Sequence, residues 1–126
     1  MTRPGSLADV ASRSDSPRAF AYGVSEFLDQ FRLERRAHML SEEPARLAGR
    51  YESGDVSDAY LAAVAVSLAR EIGAPPPSWA WQESRKLRQP WFAHPGAVLR
   101  ATLLAESPAP FRERNLFVSA NALSRA

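Results

Sequence analysis

SDAYLAAVAVSLAREI, residues 57–72, is the most regular helical pattern in the chain. Its large apolar residues return every three or four positions and so lie along one side of an α-helix. They are Tyr60, Leu61, Val64, Leu68 and Ile72. Asp55 or Ser57 can cap the start, and Gly73 stands where helices often end in a left-handed residue. The alanines between the large residues allow close neighbours. We therefore predict that this is the central helix of the domain.

A second helix is predicted upstream of it. Ser16 can cap this helix, and Pro17 suits the first helical position. One apolar stripe follows, formed by Phe20, Val24, Phe27, Leu28 and Phe31. Gly23 inside the helix favours close packing against a neighbour. Residues 1–15 are small and polar without periodicity, so we expect a disordered leader before a single helical domain over residues 16–126.

The chain after Gly73 is dense in proline and aromatic residues. Three consecutive prolines at positions 75–77 favour an extended segment. After Pro95-Gly96 another helix is predicted. Its stripe is Val98, Ala101, Leu104 and Ala105, widened by Leu99 and Leu103. Together these patterns predict an all-α fold, a small bundle of about five or six helices closed by a C-terminal strap of short turns.

Large aromatic residues in the proline-rich turns need a buried environment. We expect five of them to form one cluster against the central helix. They are Trp79, Trp91, Phe92, Phe111 and Phe117. Such a cluster would hold the C-terminal strap onto the helical bundle.

Composition places the protein among globular domains. The 126 residues are 45% hydrophobic and 24% charged, which suits a chain that buries a sizeable core. No apolar run reaches the roughly 18 residues that a membrane span requires. The start of the chain lacks a signal-peptide pattern, so we expect a cytoplasmic protein with no membrane partner. The absence of cysteine excludes disulfides and thiolate chemistry.

Charge is distributed unevenly along the chain. Fifteen of the sixteen cationic residues are Arg, and Lys86 is the single Lys. Residues 1–84 carry nine Arg against twelve Asp and Glu, a net charge of −3. Residues 85–126 carry seven cations against Glu106 and Glu113, a net charge of +5. This asymmetry indicates a surface with an acidic and a basic side.

Motifs for catalysis or cofactor binding are absent from the sequence. The two histidines, His38 and His94, lack the spacing and neighbouring carboxylates of a metal site. No serine lies in a nucleophile elbow, and there is no glycine-rich phosphate loop. We therefore expect no enzymatic activity, no cofactor and no metal requirement.

Nucleic-acid binding is the alternative to protein binding. Residues 57–82 weakly resemble a helix-turn-helix, because a helix and a Gly-containing turn precede a second segment. The three prolines remove amide donors where a recognition helix should begin. Trp79 and Trp81 replace the polar side chains that read base edges. A transcriptional regulator using this segment and the basic C-terminal half is thus the second hypothesis, after a protein-binding module.

Arginine and tryptophan are the residue types most often found at interaction hot spots. The predicted partner-binding residues are Arg85, Arg88, Arg100, Arg112 and Arg114, with Trp81 as an apolar anchor. For Arg112 and Arg114 two interpretations stay open. Exposed, they would meet phosphate or an acidic partner. Partly buried beside Phe111 and Phe117, they would clamp the C-terminal strap. The expected partner is another protein or a second copy of this chain.

Three segments carry a resemblance to a known group: SLAREIGAPPPSWAW (67–81), QPWF (89–92) and ESPAPFRERNLFVSANALSRA (106–126). They resemble a group of uncharacterised bacterial helical domains. The positions that match are Gly73, Pro76, Trp79, Trp91, Phe92, Ser107, Pro108, Phe111, Arg114, Phe117, Val118, Leu123 and Arg125. Domains of that group occur near helix-turn-helix regulators or nucleotidyltransferase-like toxins. The resemblance implies an antitoxin-like or regulatory partner of a neighbouring gene product, and no activity or binding site transfers with it.

Overall fold

The computed structural model of the chain describes residues 2–124. Helices dominate it, which confirms the predicted all-α class. This part of the chain contains six α-helices: α1 (Leu7–Arg13), α2 (Pro17–Glu34), α3 (His38–Ser41), α4 (Gly54–Glu71), α5 (Ala97–Glu106) and α6 (Ala109–Arg112). Two 3-10 turns, Ser78–Trp81 and Glu83–Arg85, follow α4. Two short strands, β1 (Trp91–Phe92) and β2 (Leu116–Phe117), pair in parallel. Of the helices described here, none is both long and apolar enough to cross a membrane.

Helix α4 is the centre of the fold, as its sequence predicts. Twelve of its residues are buried, and α2, α6, β2 and both 3-10 turns pack against it. It begins at Gly54, three residues before the predicted start. Neither Asp55 nor Ser57 caps it: the N-cap is Ser53, without a side-chain hydrogen bond. A side chain at Gly54 would collide with the carbonyl oxygen of Leu47, so this position requires glycine.

Residues 2–15 are not the disordered leader that the sequence suggested for residues 1–15, and Met1 lies outside the described residues. Ser6 accepts a hydrogen bond from the amide of Asp9 at 3.0 Å and caps helix α1. Leu7, Val10 and Ala11 lie on one face of α1 and are fully buried. The apolar stripe is only about one turn long and lies among small polar residues, so the sequence shows no sustained helical periodicity here. Burial against α2 supplies the stability that so short a helix lacks by itself.

Helix α2 begins as predicted. The hydroxyl of Ser16 accepts from the amide of Ala19 at 3.1 Å, and Pro17 occupies the first turn. All five residues of the predicted stripe are buried. A Cβ atom at Gly23 would lie 3.4 Å from a methyl group of Val10, at the limit of ordinary van der Waals contact, so this packing of α1 against α2 does not by itself require glycine.

The C-terminal strap consists of short elements held by backbone pairing. Trp91 lies beside Leu116 and Phe92 beside Phe117 in the parallel pair. The five aromatic residues do not form one cluster, contrary to prediction. Phe111 meets Tyr60 of α4 edge-on at 5.1 Å, whereas Phe92 stacks on Phe117 at 5.1 Å, outside the main core. The strap is too extended to bring all five rings to one place.

Candidate functional site

Arg85 is inside the protein, not on an interface. Its side chain has no exposed surface, and it donates to the carbonyl oxygens of Pro44 at 2.7 Å and Asp58 at 3.3 Å. The carboxylates of Glu43 and Asp58 lie 3.4 Å and 3.9 Å away. Its guanidinium carbon sits 4.8 Å from the centre of the Trp79 ring. Arg85 therefore ties the second 3-10 turn to α4 and to the loop before it, and its predicted partner-binding role was wrong.

Arg114 is buried in the same way. Its guanidinium donates to the carbonyl oxygens of Pro110 at 2.7 Å and Ala80 at 2.8 Å. Its nearest carboxylate is that of Glu113 at 3.9 Å, and burial lowers the pKa of the guanidinium. Of the two interpretations left open by the sequence, the clamp is correct for Arg114. The bonds join α6 to the first 3-10 turn.

Arg112 differs from Arg114 although it is only two residues away. Its side chain is exposed on α6, so it remains available to a partner. Arg88 and Arg100 are exposed too. The guanidinium carbon of Arg100, on α5, lies 4.7 Å from the centre of the Phe92 ring of β1, and this contact holds the charge at the surface between the two elements. These three arginines keep their predicted role as partner-binding candidates.

Trp81 is the predicted apolar anchor, and 43% of its surface is exposed. Its ring covers the guanidinium of Arg114, with 5.2 Å between the guanidinium carbon and the ring centre. Truncating Trp81 would therefore also uncover the clamp beneath it. The ring contributes both to the surface and to the burial of Arg114.

The surface charge of the C-terminal half is smaller than its sequence suggests. Two of the cations, Arg85 and Arg114, are internal, and Arg125 lies outside the described residues. Among residues 86–124, the cations that reach the surface are Lys86, Arg88, Arg100 and Arg112, and the acids are Glu106 and Glu113. The basic character persists, but it is modest.

Helix α5 exposes most of its apolar residues. Leu103 is its one buried residue, while Val98 is 82% exposed and Leu104 is 47% exposed. The predicted stripe of Val98, Ala101, Leu104 and Ala105 thus faces outwards. In an ordinary surface helix such a stripe packs on the core. Its position on the surface is the feature that the sequence pattern could not show.

The orientation of α5 follows from helix geometry. Successive residues are separated by about 100° around the axis. The side opposite Leu103 is formed by Ala97, Val98, Ala101, Leu104 and Ala105, here called the α5 outer face. Arg100 and Glu106 lie nearer the Leu103 side, and the hydroxyl of Thr102 donates to the carbonyl of Val98 at 3.3 Å. Apart from Leu103, every residue of α5 is exposed, including Arg100, Thr102 and Glu106. The outer face is therefore an exposed apolar surface, and Arg100 and Glu106 flank the buried Leu103.

The segment after α4 does not provide a recognition helix. Residues Ser78–Trp81 form a 3-10 turn of four residues, and two of them, Trp79 and Ala80, are buried. The indole of Trp79 donates to the carbonyl of Leu40 at 3.1 Å, so this side chain is part of the core. A turn this short, with its centre buried, cannot enter a major groove as a helix-turn-helix does.

Neither histidine belongs to a cluster of potential metal ligands. His38 and His94 are both exposed. Within residues 2–124, no three His, Asp or Glu side chains are grouped closely enough to hold a metal ion. The α5 outer face and the exposed arginines are therefore the candidate functional site.

Comparisons of the chain with protein-family models, with curated proteins and with solved structures find no significant match. The resemblance drawn from the sequence consequently stays a prediction.

Proposed function

We propose that this protein is a non-enzymatic protein-binding module, an antitoxin-like or regulatory partner of a neighbouring gene product. The observation that carries the proposal is the α5 outer face. A contiguous exposed apolar surface on a small protein is typical of an interaction site. Burying a Val or Leu side chain contributes about 1.5–3 kcal/mol, so Val98 and Leu104 are the expected anchors.

The chemistry of the site suggests the chemistry of the partner. The outer face of α5 is narrow and apolar, which suits a hydrophobic groove that receives one side of a helix. Arg100 lies beside this face and is held against Phe92. Arg88 and Arg112 add positive charge in the same half of the chain. An apolar groove bordered by Asp or Glu side chains is thus the partner surface that fits best.

The α5 outer face partly complements the same face of a second copy of the chain. Its residues are arranged nearly symmetrically about Ala101: Ala97 and Ala105 are both four positions away, and Val98 and Leu104 are both three positions away. Two α5 helices can therefore pair antiparallel. The ten-residue helix is only about 15 Å long, however, and stable interfaces bury roughly 1,200–2,000 Å². A different protein that also contacts the surface around α5 is the better candidate.

Nucleic-acid binding has less support. The proposed reading element at residues 57–82 lacks an exposed second helix. Two of the arginines that made the C-terminal half basic are buried. Binding to phosphate would depend steeply on salt, because it releases counterions, whereas an apolar interface would persist.

The test is co-purification with the product of the neighbouring gene, followed by calorimetric titration. We expect Val98→Asp/Leu104→Asp to weaken the complex at least 100-fold without changing the melting temperature. Leu33→Asp is the matched control, because Leu33 is an exposed apolar residue on α2. It should bind like the parent. Sedimentation of the free protein separates self-association from binding of another protein. Equal affinities of the parent and the α5 variant would refute the proposal.

A further inference from the structure

A second apolar feature lies away from α5. A cleft of about 460 Å³ opens between α2, α4 and the C-terminal strap. Its walls include Phe20, Val24 and Leu28 of α2, Tyr60 of α4, Trp91 of β1 and Val118. No residue of α5 lines it. Clefts that bind small molecules typically have volumes of about 300–1,000 Å³ and mainly hydrophobic and aromatic walls.

The described part of the lining is uncharged. Among residues 2–124, no Asp, Glu, Lys or Arg lines the cleft. Its polar side-chain groups, among the described residues, are serine hydroxyls, the hydroxyl of Tyr60, the indole N–H of Trp91 and the imidazole of His94, which is exposed. A charged ligand would lose its hydration without gaining an ion pair, and this is costly. The walls therefore favour an uncharged molecule.

Tyr60 supplies a fixed polar group in this apolar setting. Its ring is held edge-on by Phe20 at 5.9 Å and by Phe111 at 5.1 Å. Within residues 2–124 its hydroxyl makes no hydrogen bond, unlike that of Tyr51, which bonds to Ser57 Oγ at 2.6 Å. Among residues 2–124, the fully buried side-chain nitrogen and oxygen atoms without a hydrogen-bond partner are the Nε atoms of Arg85 and Arg114. The unbonded Tyr60 oxygen is therefore in contact with solvent, and the cleft is the opening that Tyr60 lines.

We propose that this cleft binds a small, uncharged, mainly apolar molecule whose single hydroxyl or carbonyl group pairs with the hydroxyl of Tyr60. The size of the cleft limits the ligand to a small molecule. The uncharged walls select its apolar body. The fixed Tyr60 hydroxyl sets its orientation, because a buried polar group on the ligand needs a partner. This site is separate from the α5 outer face and goes beyond the proposed protein-binding function.

Fluorescence titration of the full chain with N-phenyl-1-naphthylamine tests the site, because this uncharged probe brightens in apolar surroundings. We expect saturable binding. Ala21→Trp, at an exposed position of α2 that lines the cleft, should weaken it at least ten-fold. Ala45→Trp, an exposed alanine away from the cleft, should bind like the parent. Val98→Asp/Leu104→Asp should also bind like the parent. Probe binding that survives Ala21→Trp or disappears in the α5 variant would overturn the proposal.

A second arm tests the role of Tyr60 and does not depend on Ala21→Trp folding. Naphthalene and 2-naphthol compete with the probe and differ by one hydroxyl. The parent should prefer 2-naphthol by about five-fold, the effect of one net hydrogen bond. Tyr60→Phe keeps the ring contacts and should abolish this preference while naphthalene binds as before. An unchanged preference would show that Tyr60 does not orient the ligand.

Discussion

The guanidinium of Arg114 donates a hydrogen bond to the carbonyl oxygen of Ala80 across 2.8 Å, although 34 residues separate them in the chain. A second bond, to Pro110, holds the same side chain to α6. Both acceptors are backbone atoms that remain in place when the side chain changes. Arg114 thus connects two parts of the strap that local sequence does not bring together.

We predict that Arg114→Met lowers the free energy of unfolding by about 3–5 kcal/mol, because two buried carbonyl groups lose their donor. Arg112→Met is the matched control. Its side chain is exposed, so a change within about 0.5 kcal/mol is expected. Urea denaturation of both variants provides the measurement. Similar losses in the two proteins would mean that the clamp does not exist.

The orientation of α5 can be checked with two neighbouring leucines. Leu103→Ala should lower the free energy of unfolding by about 2–5 kcal/mol, because Leu103 is buried. Leu104→Ala removes the same atoms from an exposed position and should cost no more than about 0.5 kcal/mol. Both substitutions change helix propensity equally, so the difference between their free energies of unfolding, measured by heat or urea, reports the burial of Leu103. If Leu104→Ala is the more damaging change, α5 is rotated relative to the arrangement described here.

Asp58 should be the most sensitive acidic residue. Its carboxylate accepts from the amides of Leu47 at 2.7 Å and Ala48 at 3.0 Å, which fixes the loop before α4. Asp58→Asn places an NH₂ group opposite one of these two N–H donors. We therefore expect the free energy of unfolding to fall by about 2–3 kcal/mol. Asp55→Asn, exposed in the first turn of the same helix, should cost less than about 1 kcal/mol. Equal effects in urea titrations would contradict this assignment.

Alkaline pH should destabilise the protein partly through Tyr60. Burial raises the pKa of this phenol above its ordinary value, because the charged form loses hydration. The neutral form is therefore favoured in the folded state. Its contribution to stability is complete below about pH 10, the unfolded value, and is lost as pH rises through the higher folded value. Tyr60→Phe should lose less stability than the parent between pH 9 and 11. Parallel pH profiles, measured by urea unfolding, would refute this.

The sequence by itself determined the elements with strong local signals. Helices α2 and α4 follow from apolar residues at helical spacing, and the start of α2 follows from Ser16 and Pro17. Gly73 has the left-handed backbone expected of it, with φ of 72°. These features depend on residues within a few positions of each other. Local sequence therefore contains the information that specifies them.

Only the tertiary structure decided which faces and charges are available to a partner. Helix α5 has apolar residues on nearly all sides, so periodicity could not choose between Leu103 and the outer face. Arg112 and Arg114 have almost the same neighbours in sequence, yet one is exposed and the other is buried. The rotation of a helix and the burial of a side chain depend on elements that lie far away along the chain. The site is therefore a product of packing, whereas the helices that support it are products of local sequence.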